Sequence, residues 1–170
     1  YVKVGSAVPK LRVADCVYNK EEILKLVEAA AAKQVRVLSF PELSVTGYTC
    51  ADLFFQTPLL HAAEQAIQEI AEATKALNIF LLIGAPIAVD NQMFNCAVAL
   101  YKGKLLGIVP KTHIPNYSEF YEERWFASAD DLLTEEITYA GQNVPIGAAL
   151  IFAAADFPAL KIGVEICEDL

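Results

Sequence analysis

No C-x-x-C pair links the four cysteines Cys16, Cys50, Cys96 and Cys167. That absence leaves neither a zinc-ligand spacing nor a dithiol redox motif, and isolated thiols suit a reducing compartment. Long apolar runs are missing too. "IFLLIGAPIAV" and "VPIGAALIFAAA" fall short of the roughly 18 residues that a membrane-crossing helix needs, and no charged-then-apolar leader opens the chain. The expectation is a soluble, cytoplasmic protein with no membrane partner. Basic excess is absent: the formal net charge is -8, with Glu119, Glu122, Glu123, Asp130, Asp131, Glu135 and Glu136 crowded into one region. A nucleic-acid backbone would be repelled by such a surface, and a solvated acidic face is the simpler meaning. There is no internal repeat, low-complexity tract or linker. Tyr1 is an unusual first residue, which implies a trimmed start.

What remains is 170 residues, 55% of them hydrophobic, enough for one compact domain or a large piece of one. Strand and helix alternate first. Val2 to Val8 reads as a strand, and Asn19 with Glu22 as a helix N-cap and its capping partner. The helix that follows carries Ile23, Leu24, Val27, Ala30 and Ala31 on one face and stops near Lys33. "VRVLSF" is a short buried strand running into Pro41. Thr57 and Pro58 open a second helix with Leu60, Ala63, Ile67, Ile70, Thr74 and Leu77 at helical spacing, and Asn78 is its expected stop. The pattern then turns to β. "IFLLIGAPIAV", "MFNCAVALY" and "KLLGIVP" are strand-like runs divided by the turn signals "DNQ" and "KGK". A loop-and-helix segment is expected to about Ala129, then further strands in "EITYAG", "GAALIFAAAD" and "KIGVEIC". The class is α/β.

Three loop positions could carry chemistry. Glu42 in "FPELSVTGY" and Lys111 in "PKTHIPNYSEF" each follow a strand and a proline, and strand ends are where α/β proteins place functional groups. Taken singly, Glu42 is more often a solvated loop residue or a helix cap, Lys111 a surface charge and His113 a structural residue. Cys167 closes an apolar run in "KIGVEICEDL"; buried cysteines are mostly inert small hydrophobes, but a sharp turn after a strand lifts a side chain clear of a sheet. Acids beside Cys167 disfavour a thiolate, so activation has to come from elsewhere. A carboxylate, a lysine and a cysteine at three strand ends supply a base, a cation for an oxyanion and a nucleophile.

In that order, "FPELSVTGY", "PKTHIPNYSEFYEERWF" and "GVEICEDL" resemble the glutamate, lysine and cysteine motifs of the nitrilase (carbon-nitrogen hydrolase) superfamily. With "VKVGSAVPKLRVADCVYN" and "ELSVTGYTCADLF", the chain resembles the N-terminal glutaminase domains of the superfamily's NAD-synthetase branch. The resemblance implies an α-β-β-α sandwich of which residues 1–170 are the N-terminal portion, the C-terminal part being missing. It implies Glu42 as general base, Lys111 as oxyanion cation and Cys167 as nucleophile toward glutamine, with the backbone N–H of Glu168 completing the oxyanion site. Glu168 would also meet the α-amino group, Tyr117, Phe120 and Tyr48 would line the pocket, and Glu122 would position the lysine. Glu122 also reads as one more charge in an acidic helix, and Gly47-Tyr48 as only a turn. No metal or cofactor is implied for this domain, whereas ATP and Mg are implied for a synthetase domain elsewhere in the parent chain, and a homo-oligomer is expected. Alternatives are a stand-alone amidase acting on another amide, carbamoyl compound or nitrile, and a fragment that keeps the fold without turnover. The 170 residues alone are expected to be inactive.

Overall fold

The computed structural model describes residues 1–170. Five strands form one sheet in sequence order: β1 (Val4–Ser6), β2 (Val37–Ser39), β3 (Phe80–Val89), β4 (Gln92–Tyr101) and β5 (Lys104–Pro110). The first three run parallel and the last three antiparallel. Parallel neighbours need crossovers, and these are α1 (Cys16–Ala32) and α2 (Thr57–Thr74). Two residues, Asp90 and Asn91, turn β3 into β4, both with positive φ as a tight hairpin demands.

Side-chain alternation divides the sheet into two faces. Leu81, Ile83, Ala85 and Ile87 of β3 share one core cluster with Ile23 and Val27 of α1 and Ile67 and Ile70 of α2. Each fully buried isoleucine contributes about 1.5–3 kcal/mol relative to exposure. The opposite face is built small: Gly84 pairs Ala97, Leu82 pairs Ala99, and Ala99 pairs Gly107 on β5. Small residues let a second layer approach. A Cβ added at Gly107 would lie 2.9 Å from both Leu150 and Phe152, and the rings of Phe80 and Phe152 stand 5.4 Å apart.

Several expectations are corrected. Asn19 does not cap α1: Asp15 does, accepting from Tyr18 N. Asn19 lies inside the helix, buried, bonding the main chain of Arg12 and the carbonyl of Val45. The α2 stripe runs through Leu59 rather than Leu60, and the helix ends at Thr74, before Asn78. Between Lys111 and Leu132 there is no α-helix, only the short 3₁₀ turns Glu122–Arg124 and Ala129–Asp131. The last two predicted strands shrink to β8 (Phe152–Ala153) and β9 (Lys161–Ile162), which pair with each other and not with the main sheet. Before them, β6 (Glu136–Tyr139) and β7 (Gln142–Pro145) make a second hairpin, tied to α2 where Ala140 N donates to Glu64 at 2.8 Å. No helix is long and apolar enough to cross a membrane.

Candidate active site

The small-residue face of the sheet carries the chemistry. Pro86 pairs Asn95 and Cys96 pairs Pro110, so the register continued by one residue sets Lys111 opposite Asn95, and Lys111 N donates to Asn95 O at 2.8 Å. The strand thereby delivers the lysine side chain to the face away from the helices. Glu42 reaches the same place because its loop lies flat on Gly84. A Cβ at position 84 would sit 2.3 Å from Leu43 N and 2.6 Å from Pro41 O, closer than any side chain permits. Beyond Glu42 the chain reverses through Leu43, with φ +52, and its carbonyl accepts from both Thr46 N and Gly47 N.

Lys111 is completely buried and Glu122 is 2 % exposed. The ammonium lies 2.9 and 3.1 Å from the two oxygens of Glu122 and 3.2 Å from Oε2 of Glu42. A buried cation is tolerable only when paired and hydrogen-bonded. Burial pulls the Lys111 pKa down, but the Glu122 hydrogen bond and the charges of Glu42 and Glu122 outweigh it and hold the ammonium above its ordinary value. Tyr48 donates to Glu122 Oε1 at 2.5 Å; burial and that carboxylate push the phenol well up, so it stays a donor. Two residues on, Arg124 forks onto Asp52 at 2.7 and 2.8 Å and the Trp125 indole donates to the same carboxylate.

Cys167 opens a 3₁₀ turn, Cys167–Asp169, after four residues outside any strand. Its φ is +55, a left-handed conformation that costs a non-glycine residue about 1–3 kcal/mol and persists only where neighbours enforce it. Asp169 is the enforcer. Its carboxylate accepts from Thr112 N at 3.0 Å, His113 N at 2.8 Å and Ile166 N at 3.3 Å, so it ties the cysteine turn to the lysine loop. Cys167 and Glu42 line one cavity of about 320 Å³ with Leu82, Gly84 and Ala97. Burial raises the thiol pKa, Lys111 pulls it back, and Glu42 with Glu122 push it up again, for a net rise. The backbone N–H of Glu168 acts the other way and favours the thiolate. The other three cysteines are buried, and burial pushes Cys16 up to about 11.

Glu42, Lys111, Glu122, Tyr48 and Cys167 therefore converge. The other three residues expected at the site lie one step away. Tyr117 donates to Glu168, and Tyr117 and Phe120 meet edge to face at 5.9 Å. Tyr117 and Glu168 line a separate, wider cavity of about 890 Å³, and the Cys167–Glu168 peptide bond joins the two spaces. Sequence reasoning missed Asn95, which donates to Glu42 Oε2 at 2.9 Å, and gave Asp169 no role. The signal for Asn95 was a lone amide inside the apolar run "MFNCAVALY"; nothing singled Asp169 out from its acidic neighbours.

These features define an α/β protein with helices on one sheet face and a charged, thiol-bearing site on the other. The carbon-nitrogen hydrolase family matches residues 4–170, and the chain belongs to that family. It is 36% identical over 170 residues to a glutamine-dependent NAD(+) synthetase of Mycobacterium leprae, covering 100% of this chain and 25% of that protein. It thus spans about a quarter of the length of the curated relatives it matches. A crystal structure of a glutamine-dependent NAD(+) synthetase from Cytophaga hutchinsonii superposes with a TM-score of 0.89 at 30% identity, over 99% of this chain and 28% of that one. An amidase from Nesterenkonia sp. shares the fold at a TM-score of 0.64 and 18% identity, over 84% of this chain and 53% of that one. The expected nitrilase-like architecture is thus the one observed.

Proposed function

We propose that this segment is the N-terminal portion of a glutaminase domain in which Cys167 hydrolyses the side-chain amide of glutamine. The observation that carries the reading is a fully buried lysine held between two carboxylates, with a thiol sharing the cavity of one of them. Glu42 takes the Cys167 proton as the sulfur attacks the amide carbon. The oxyanion is met by the Lys111 ammonium and the Glu168 N–H, donors already fixed in place. Glu42 returns the proton to the leaving nitrogen, ammonia departs, and a γ-glutamyl thioester remains. Water deprotonated by Glu42 then releases glutamate and restores the thiol.

Glu168, held by Tyr117, supports an amino-acid substrate, because an ammonium group would pair that carboxylate and a simple amide would leave it unpaired. Phe120 packs behind Tyr117 as pocket wall. Ammonia would pass to an ATP- and Mg-using synthetase domain of the parent chain that amidates deamido-NAD, and the parent would be a cytoplasmic homo-oligomer. The test is glutamate release by the full-length parent. Cys167→Ala should abolish it while NAD formation from free ammonia persists, since the two reactions occupy separate sites. Glutamine hydrolysis retained in that variant would refute the assignment.

A further inference from the structure

Asn95 is fully buried on β4, and it holds both halves of the charged cluster. Its side-chain Nδ2 donates to Glu42 Oε2 at 2.9 Å, while its carbonyl accepts from the backbone N–H of Lys111 at 2.8 Å. The amide has one sensible orientation, because turning it would set oxygen against a carboxylate. In that orientation Oδ1 is buried with no hydrogen-bond partner. An orphaned buried acceptor is destabilising, and a hydrocarbon at position 95 would avoid it. Packing alone therefore does not explain an asparagine here.

What the side chain gains is control of Glu42. Both donors that reach this carboxylate, Asn95 Nδ2 and Lys111 Nζ, fall on Oε2. Oε1 is left without a protein hydrogen bond. We propose that Asn95 is a positioning residue that fixes which oxygen of Glu42 acts as the base: by occupying Oε2 together with Lys111 it presents Oε1 to the Cys167 thiol. The proton that leaves sulfur travels to Oε1 and from there to the departing nitrogen. Without Asn95 the carboxylate is free to rotate about its terminal torsion and to offer either oxygen to Lys111.

This inference rests on the hydrolase reading above, and two variants of the full-length parent separate the two. Asn95→Leu keeps the branched shape but removes the donor and the orphaned oxygen. Its kcat for glutamine hydrolysis should fall about 100-fold, the usual consequence of a misplaced catalytic group, with KM within about twofold. Its thermal midpoint should hold or rise, because an unpaired buried polar atom is gone. Asn95→Asp sets a second carboxylate beside Glu42, where Lys111, Glu122 with its partner Tyr48, and Cys167 are the other titratable groups. The acidic limb of kcat/KM should then move up by about one unit or more. An unchanged kcat in Asn95→Leu would overturn the proposal. So would a loss of activity matched by a lower thermal midpoint, which is what a purely structural residue gives. Should the wild type hydrolyse no amide, the hydrolase reading fails first. Iodoacetamide labelling of Cys167 then decides: pH–rate curves that shift in both variants support the assignment, and curves identical to wild type refute it.

Discussion

Replacing Glu122 by glutamine keeps the shape of the side chain and removes one charge from a pair that is buried on both sides, 0% exposed at Lys111 and 2% at Glu122. At the observed 2.9 Å and an effective dielectric of about 20, the attraction between unit charges is roughly 6 kcal/mol. Glutamine retains an acceptor for the ammonium, so the loss should sit near the lower end of the range for breaking a buried pair, about 3 kcal/mol. For a domain of this size that corresponds to a thermal midpoint lower by about 6–12 °C. The sign with pH follows from Lys111. Its folded pKa is raised, so the stability it contributes is fully present below its unfolded value of about 10.4. That contribution disappears as pH rises through the folded value. Neutral pH therefore carries the whole of it, and the variant should be weaker there than wild type. Once the Glu122 bond is gone, burial dominates and pulls the ammonium pKa down, so the basic limb of kcat/KM should move to lower pH. The assay is a thermal melt of the full-length parent, read on the transition of the domain that holds this site, with pH profiles of glutamate release, and Tyr48→Phe as a control that removes one hydroxyl and costs about 1 kcal/mol. A melt within about 2 °C of wild type together with an unmoved basic limb would refute the claim that Glu122 keeps Lys111 charged.

Asp169→Ala releases Thr112, His113 and Ile166 from their shared acceptor; glutamate release should drop about 100-fold, with partial recovery in Asp169→Asn. Activity within threefold of wild type, measured under saturating glutamine, would show that the cysteine turn holds itself. Gly84→Ala forces a methyl group into the backbone of Pro41 to Leu43; a destabilisation of about 1–3 kcal/mol in a denaturant titration, with a lower kcat, is expected, and a neutral result would mean the loop does not rest on the sheet.

Glu42 and Lys111 were legible because each sits just past a strand in a run whose composition changes abruptly; Cys167 was legible from its motif, although four residues outside any strand separate it from β9. Pro41 and Pro110 mark the ends that put Glu42 and Lys111 on loops. The helices were legible from apolar spacing, but their ends were not. Asn19 has the chemistry of a cap, and the same amide serves equally well to satisfy buried main-chain groups of Arg12 and Val45; Asp15, four residues earlier, took the cap instead. "GAALIFAAAD" and "KIGVEIC" were over-read as strands because apolar alternation reports burial, not pairing, and here it lays chain across a sheet with only β8 and β9 bonded to each other. Asn95 and Asp169 were invisible for another reason. Each acts through main-chain groups or through a second residue, and no spacing in the sequence records which N–H a carboxylate will find.

The Cys167 thiol is raised above its ordinary pKa, by burial first and by the charges of Glu42 and Glu122, against the pull of Lys111. Peroxides and electrophiles attack thiolates, and their selectivity among cysteines follows thiolate character and access. A cysteine whose pKa is raised lacks the first of those conditions. On the hydrolase reading proposed above, the arrangement would separate catalytic readiness from chemical vulnerability: the sulfur would gain its negative charge only while a substrate carbonyl is there to receive it, and a thiol kept protonated between turnovers would be a poor target for oxidants.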